Sequence, residues 1–258
     1  MQGFQAVLLG IVEGMSEFLP VSSTGHLILA SRLLGIGPGV FVASFEIAIQ
    51  LGAILAVVVL YWKRLWRLEV IKKILAAFVP TAVVGLFVYK AVKRFLMQGE
   101  LVVLASLFLG GVFLIVFERM HREPEKGAED PASVTYGQAV LIGVFQAIAM
   151  IPGVSRSAAT ISGGLLLGLK RKTIVEFSFL LAVPTMLAAS ALDLLKSGAQ
   201  FSGREWGLLG VGFAVSFAVA FLSIRFLLGF IRNHSFIPFG VYRVAVAAVY
   251  FFAVVFPS

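Results

Sequence analysis

The amino-acid sequence predicts an all-α integral membrane protein with six transmembrane helices and two further helical segments that are interrupted. Three observations support this fold class: 60% of the 258 residues are hydrophobic, only 13% are charged, and the mean hydropathy is +1.01. A soluble domain usually contains about 25% charged residues, so a soluble class is excluded. The absence of cysteine excludes disulfides and thiolate metal sites and leaves the redox compartment open.

Six stretches are long and apolar enough to cross a membrane, which takes about 20 residues. They lie at residues 40–61, 71–92, 101–117, 173–194, 206–229 and 237–256. The first basic residue is Arg32, so the N-terminus lacks the charged region of a signal peptide and is expected to stay in the mature protein.

Two other apolar segments, 4–34 and 136–169, are each interrupted by a cluster of small and polar residues. The clusters read LPVSSTG and IPGVSRSAATISGG. Proline removes a backbone donor and glycine loosens a helix, so each segment is predicted as helix, break, helix. Broken backbone at membrane depth is tolerated only where it lines a cavity or is buried in protein. Both segments are therefore predicted to form re-entrant hairpins.

The two interrupted segments resemble each other at a fixed offset of 133 residues, which brings Gly10 onto Gly143 and Ser22 onto Ser155. We interpret the chain as a single membrane domain, 1–258, made of two repeats at 1–118 and 135–258 and joined by a polar loop at 119–134. Each repeat holds one hairpin and three spans. Because three is odd, the second repeat enters from the opposite face, which predicts an inverted-topology architecture.

The distribution of basic residues predicts the orientation. One side of the predicted topology carries 13 Lys and Arg, including Lys126 in the polar loop, and the other side carries 6. By the positive-inside rule the first side is cytoplasmic, so both termini and the mouth of the first hairpin are expected outside. The net charge of +8 is accounted for by these short loops, and nucleic acid is discounted as a partner.

The first break lies in EGMSEFLPVSSTGH, residues 13–26. Glu13 and Glu17 are four residues apart and share a helix face, where two carboxylates in a low dielectric take up a proton or a hard divalent cation. The residues after Pro20 supply hydroxyls, backbone N–H groups at a helix start and an imidazole that is close enough to act on a serine or a leaving group. They are Ser22, Ser23, Thr24 and His26.

The second break follows Pro152 and supplies complementary groups. Ser155 is a predicted N-cap, and Arg156 offers a two-pronged donor for phosphate oxygens. Ser157 and Thr160 add further donors. A buried arginine in a membrane is costly and calls for an anion. Together the two breaks hold the groups needed for metal-assisted phosphoryl transfer.

The motifs at both breaks resemble those of the bacterial undecaprenyl-diphosphate phosphatase family, which is associated with bacitracin resistance. EGMSEFLPVSSTGH and PGVSRSAATISGG are similar to its two signatures, and FEIAIQLGAILAVVV resembles a third characteristic stretch. The order, spacing and chain length match from end to end. The resemblance implies a multi-pass protein of the bacterial inner membrane that hydrolyses a polyprenyl diphosphate to the monophosphate, with Mg²⁺ or Ca²⁺ and a site reached from the outer face.

The same resemblance implies a role for each matching position. Glu17 and Glu13 would hold the metal and water, Ser23 would be the nucleophile, His26 would act as acid or base, and Arg156 would bind the phosphates. Whether Ser23 or His26 is the nucleophile stays open. Five residues would be supporting hydrogen bonders to the substrate: Ser22, Thr24, Ser155, Ser157 and Thr160.

Several alternatives remain at this level. A polyprenyl-phosphate lipid transporter or flippase is the rival function, because inverted repeats with broken helices are typical of transporters. Glu46 and Gln50 either line the cavity or tie helices together, and Arg243 receives no role. The three glycines in the segment after the second break are expected to serve close helix packing: Gly163, Gly164 and Gly168. Besides lipids, a homodimer partner is one option that the sequence does not decide.

Overall fold

A computed structural model describes residues 1–37, 39–96, 100–124, 127–197 and 201–255, with the side chains of residues 88–96 and 192–197 left out. Within these residues all regular structure is helical, and six helices are long and apolar enough to cross a membrane. The predicted class, an all-α protein with six spans, is confirmed. Two details of the predictions, Lys126 and the last residue of the sixth span, Phe256, lie outside the described residues.

The helices follow one another with short connections. In chain order they are α1 (Gly3–Ser16), α2 (Ser23–Leu33), α3 (Val40–Leu65), α4 (Leu68–Leu96), α5 (Glu100–Met120), α6 (Tyr136–Ile148), α7 (Arg156–Leu166), α8 (Arg171–Ser197), α9 (Gly203–Phe230) and α10 (Ile237–Tyr250). A 3₁₀ turn at Pro131–Ser133 precedes α6, and a π-helical turn at Phe251–Val255 extends α10.

Both interrupted segments form two short helices around a break, as predicted. Each first helix ends before its proline: α1 ends at Ser16, ahead of Pro20, and α6 ends at Ile148, ahead of Pro152. The ends come early because a proline disfavours helical backbone at the residue before it and removes a donor. Glu17 therefore lies at the C-cap of α1, and its N–H still donates to the Glu13 carbonyl at 2.9 Å.

The helix bounds recur along the chain with the offset seen in the sequence. Moving α2 by 133 residues gives the bounds of α7, and α1, α3, α4 and α5 fall close to α6, α8, α9 and α10. Helices of each half pack against helices of the other half, since α1 lies against α9 and α6 lies against α4. This is the arrangement that a repeated fold produces, while the repeat boundaries and the inverted, re-entrant topology in a membrane stay predictions.

Glycines allow the helices of this bundle to approach closely. A Cβ at Gly10 would lie 2.8 Å from the Gly212 carbonyl oxygen, and one at Gly111 would lie 2.6 Å from that of Gly240. Small residues at helix contacts are what drives packing where lipid replaces water. Gly163 and Gly164 also meet close neighbours, namely Phe145 and Ile174, as predicted.

Gly168 was predicted to serve close packing, and this is wrong. A Cβ there would meet nothing within 4 Å, and the residue has a φ of +77° in the turn between α7 and α8. Its conformation belongs to the left-handed region, in which glycine avoids the steric cost that other residues bear.

The polar loop before α6 is tied to neighbouring helices by charged groups. Arg67 donates to Asp130 at 2.7 Å, Lys73 donates to the Ala132 carbonyl at 2.6 Å, and the Arg171 N–H donates to Glu123 at 2.8 Å. The Ala132 N–H and the Arg67 guanidinium hold the pKa of Asp130 below its usual value. The loop is thus anchored at the end of the bundle that carries most of the basic residues.

We expect Gly10→Ala to destabilise the protein, because the new methyl group would press on backbone of α9 with no flexible side chain to yield. The expected loss is about 1–3 kcal/mol, typical of overpacked contacts. Thermal unfolding in detergent would measure it. Gly207→Ala, where a Cβ meets nothing within 4 Å, is the control and should leave the midpoint unchanged or slightly raised. Equal midpoints for both variants would contradict the packing account.

Candidate active site

The two breaks place a serine with unusual backbone geometry before each second helix. Ser22 has a φ of 74° and Ser155 a φ of 80°, and they are the two non-glycine residues with positive φ in the described part of the chain. Each is an N-cap: Ser22 Oγ accepts from the Gly25 N–H at 3.4 Å, and Ser155 Oγ accepts from the Ala158 N–H at 3.2 Å. Such strained backbone persists only where its surroundings hold it, and it is concentrated at functional sites.

The breaks meet each other in the interior of the protein. Ser157 Oγ donates to the Leu19 carbonyl at 2.7 Å, and Arg156 Nη2 donates to Glu17 Oε1 at 3.0 Å. Residues that are 139 positions apart in the sequence therefore lie in direct contact. This brings the two predicted motifs together at one site.

Glu17 is the centre of the hydrogen-bond network. Ser23 Oγ donates to its Oε2 at 2.5 Å, while Arg156 pairs with its other oxygen. The side chains of Glu17 and Arg156 are 2% and 11% exposed, so the ion pair lies in a low dielectric. Truncating one partner of such a pair leaves an uncompensated buried charge and is strongly unfavourable. The carboxylate thus contacts both a hydroxyl that could act as a nucleophile and a cation.

Arg156 is held from behind by helix α8. Its Nη1 donates to the Ser178 carbonyl at 2.7 Å and to Ser178 Oγ at 3.2 Å, and Thr160 contacts the same Oγ at 2.7 Å. Its Nε is buried and has no hydrogen-bond partner among the described protein atoms. A guanidinium with a fixed plane and an unused donor can bind an additional oxygen.

These groups face a cavity of about 210 Å³ between the breaks. Its apolar wall is formed by Ala149 to Gly153 and by Met186. Its polar lining contains six residues of the predicted site and one from α3: Glu17, Ser22, Ser23, Thr24, Ser155, Arg156 and Gln50. Gln50 lies ten residues into α3, roughly 15 Å along the helix, so the cavity lies near the middle of a span.

Glu13 is fully buried one helical turn before Glu17 and is not among the lining residues, and neither of its carboxylate oxygens has a hydrogen-bond partner in the described structure. An unpaired buried carboxylate is costly unless it is protonated or binds a cation. No group of three or more His, Asp or Glu suitable for a metal occurs among the described residues. Mg²⁺ is often held by one or two carboxylates, with water and substrate phosphates completing its shell. Glu13 and Glu17 fit that donor set.

His26 is directed away from the cavity and bonds to α10. Its Nδ1 lies 2.8 Å from the Ser22 carbonyl and its Nε2 lies 2.9 Å from Tyr242 Oη. Because a carbonyl can only accept, the neutral ring carries its proton on Nδ1 and accepts at Nε2. The rings also stack, with centroids 5.4 Å apart. His26 is not among the lining residues, and its predicted acid or base role stays a prediction.

The structure also distinguishes candidate residues that line the cavity from those that do not. Glu46 accepts from Ser31 at 2.7 Å and ties α3 to α2, whereas Gln50 lines the cavity. Ser157 and Thr160 do not line the cavity: Ser157 bonds the Leu19 carbonyl, and Thr160 contacts the Ser178 hydroxyl. Their predicted bonds to substrate stay predictions.

Three contributors were missed by the sequence reasoning: Ser178, Tyr242 and Arg243. Nothing in the sequence around Ser178 or Tyr242 marks them, since their partners are far along the chain. For Arg243 a signal existed, because a charge within an apolar segment is costly and calls for a function.

The fold and site define a class of protein: a multi-pass helical membrane protein with a serine, carboxylate and guanidinium centre between two broken helices. Residues 6–249 match the family described as Bacitracin resistance protein BacA, and the chain belongs to this family.

Relatives in this family match the chain over nearly its whole length. The undecaprenyl-diphosphatase of Aquifex aeolicus (strain VF5) is 53% identical over 251 residues, covering 97% of this chain and 98% of the relative. Those of Sulfurihydrogenibium sp. (strain YO3AOP1) and Wolinella succinogenes are 50% and 48% identical, covering 97% and 96% of this chain and 99% and 97% of the relatives.

We expect Ser155→Val to lower stability and Ser155→Gly to be tolerated, because the position requires a positive φ. A β-branched residue there would cost about 1–3 kcal/mol in backbone strain, whereas glycine removes strain and loses the cap and the contact with the Ser157 hydroxyl. Thermal unfolding of both purified variants would measure the difference. A midpoint for Ser155→Val at or above that of Ser155→Gly would contradict the geometry of the second break.

Proposed function

We propose that the protein hydrolyses undecaprenyl diphosphate to undecaprenyl phosphate and inorganic phosphate, which returns the lipid carrier to cell-wall synthesis. The observation that carries the proposal is the 2.5 Å hydrogen bond from Ser23 to Glu17 beside Arg156, inside a buried cavity. The names of the relatives in the same family support the same substrate.

The surroundings of the cavity suit a lipid diphosphate. Polar groups line the interior, and the second break contributes an apolar wall that includes Met150 and the half-exposed Ile151. A diphosphate can reach the polar lining while its polyprenyl chain stays among apolar side chains. This arrangement agrees with ligand sites in general, which are largely apolar with a few placed polar groups.

Ser23 is the nucleophile in this proposal and Glu17 is its general base. Ser23 Oγ attacks the terminal phosphorus, Glu17 accepts the hydroxyl proton, and the bond to the bridging oxygen breaks to release the lipid monophosphate. Water then attacks the phosphoserine and restores the hydroxyl. The 2.5 Å contact gives the proton a direct path, whereas His26 is held by Ser22 and Tyr242 outside the cavity lining.

Arg156 can exchange partners when the substrate binds. In the structure its Nη2 pairs with one carboxylate oxygen of Glu17. Diphosphate oxygens would compete with Glu17 for the guanidinium. As Arg156 turns to the phosphates, the other Glu17 oxygen stays in contact with Ser23 and accepts its proton. The guanidinium then meets the charge that develops on the phosphoryl oxygens.

A divalent cation, Mg²⁺ or Ca²⁺, is part of the proposal. Glu13 and Glu17 would hold it, because both oxygens of Glu13 are buried without a partner. When bound, it would neutralise phosphate oxygens. The protein residues would keep their roles, with Glu13 oriented by α1 and Glu17 placed at the C-cap of that helix.

The placement in the cell is proposed on the same basis. The excess of Lys and Arg on one side supports both termini outside, and membership of a family with bacterial relatives supports an inner membrane protein with a site that opens to the outer face. The recurring helix bounds support two inverted repeats with re-entrant hairpins. A homodimer remains an untested prediction.

Purified wild-type protein in detergent should release inorganic phosphate from undecaprenyl diphosphate in the presence of Mg²⁺ or Ca²⁺. Ser23→Ala should lower kcat by at least about 10³-fold, because it removes the nucleophile. Glu17→Gln should lower it by about 10²- to 10⁴-fold, and His26→Ala by less than about 10²-fold. Colorimetric phosphate release under saturating substrate would measure these values.

Two variants outside the site are matched controls: Glu69→Gln near the start of α4 and Ser223→Ala on α9. Both should keep wild-type kcat. A larger loss for His26→Ala than for Ser23→Ala would assign the nucleophile to His26. No release by folded wild-type protein with metal present would contradict the phosphatase, and movement of lipid across vesicles would then favour the transporter.

Exhaustive chelation should abolish phosphate release, and added Mg²⁺ or Ca²⁺ should restore it. Glu13→Gln should raise the cation concentration needed for half-maximal activity by at least about tenfold, because an amide is a weaker ligand for a hard cation. Titration of the chelated enzyme would give this value, and calorimetric titration of cation without substrate would give a second readout. Unchanged cation dependence in Glu13→Gln would remove Glu13 from the proposed site.

A further inference from the structure

Arg243 is fully buried in α10 and donates to main-chain carbonyls of both breaks. Its Nη2 bonds the Gly153 carbonyl at 2.8 Å and its Nη1 bonds the Val154 carbonyl at 3.1 Å, both in the second break. Nη1 also reaches the Pro20 carbonyl of the first break at 3.4 Å. Two further bonds go to carbonyls in α5, at Ser106 and Leu107.

The Arg243 guanidinium binds carbonyl oxygens and no carboxylate among the described residues. None of the ion pairs in the described part of the chain includes Arg243. An arginine stays protonated in proteins and offers five donors in a fixed plane. Its planar fork can therefore hold several carbonyls at once, which the point charge of a lysine cannot do in the same geometry.

The bond to the Val154 carbonyl also determines where the next N–H points. In a planar trans peptide the C=O and the following N–H point in opposite directions. The Val154 carbonyl and the Ser155 N–H belong to one peptide unit, so Arg243 holds the carbonyl and the N–H faces away from it. Ser155 lines the cavity, and Arg156 follows directly. Arg243 thereby fixes the orientation of the peptide unit that leads into Ser155 and Arg156.

Helix α5 leaves room for this side chain through two consecutive glycines. A Cβ at Gly110 would collide with Nη2 of Arg243, and one at Gly111 would lie 3.0 Å from its Cβ. The neighbouring wall is thus shaped around the guanidinium, and a single methyl group at Gly110 would displace it without removing its charge.

We infer that Arg243 is a positioning residue, which locks the two breaks together through their carbonyls and so holds Ser155 and Arg156 in register with Ser23 and Glu17. This inference rests on the proposed phosphatase for its kinetic consequence. Its geometric consequence is independent of the activity, because the bonds from Arg243 to the two breaks form within the protein and need no substrate.

The kinetic experiment compares Arg243→Lys and Gly110→Ala with wild type in phosphate release from undecaprenyl diphosphate. Small displacements of reacting groups lower kcat by about 10- to 100-fold, and we expect this for Arg243→Lys and about a fivefold loss for Gly110→Ala. KM should change by less than about threefold, because Arg156 keeps its charge for the ground-state phosphates. Gly229→Ala, where a Cβ meets nothing within 4 Å, is the control and should match wild type.

The geometric experiment uses spin labels at Leu33→Cys and Leu166→Cys, exposed positions at the ends of α2 and α7. The chain has no cysteine of its own, so labelling is specific. Pulsed electron resonance should give a narrow distance distribution in the otherwise wild-type protein and a broader one with Arg243→Lys or Gly110→Ala. Gly229→Ala should leave the distribution narrow.

The inference is supported if kcat falls and the distribution broadens in the same variants. Wild-type kcat in either folded variant would overturn it, and so would a lowered kcat with an unchanged distribution, because the effect would not run through the breaks. If Arg243→Lys fails to fold, Gly110→Ala alone decides. Absence of phosphate release by wild type would contradict the proposed function, and the distance distributions would still test the lock.

Discussion

Backbone polar groups in the interior of a protein must find partners there, and this constraint governs the rest of the structure. Each break leaves carbonyls and N–H groups without helical partners in the interior of the bundle. Ser22 and Ser155 accept from the N–H groups of α2 and α7, Ser157 donates to the Leu19 carbonyl, and Arg243 binds carbonyls on both sides. Satisfying the breaks requires them to meet, and their meeting creates the cavity in which the reactive groups lie.

The two halves share a backbone pattern but divide the chemistry between them. At the offset of 133 residues, Ser23 corresponds to Arg156, so one position supplies a hydroxyl in the first half and a cation in the second. Glu13 corresponds to Gln146, whose amide donates to Thr81 and Thr185 and carries no charge. The carboxylates are therefore confined to one half and face a guanidinium from the other, which avoids the repulsion of a fully symmetric acidic site.

Buried charge in this protein costs stability and is retained where it serves the site. Among the described residues Glu13 has no hydrogen-bond partner, and Glu17 and Arg156 satisfy each other only in part. Replacing a buried ion pair by apolar residues is often neutral or stabilising. The presence of the Glu17–Arg156 pair is therefore not explained by stability alone. Arg243 differs, because its N–H donors bind main-chain carbonyls at the two helix breaks.

Particular residues show what could be predicted from the sequence. Six spans, both breaks, the cap at Ser155 and the composition of the site follow from local patterns, since hydrophobic length, proline and cap residues act over a few positions. The contact between Glu17 and Arg156, the position of His26 against Tyr242 and the bond from Arg243 to Val154 could not be predicted, because they join residues that are 139, 216 and 89 positions apart. The sequence by itself determined which groups are present near each break. Only the tertiary structure decided which of them touch, because packing between helices sets those distances and no local pattern records them.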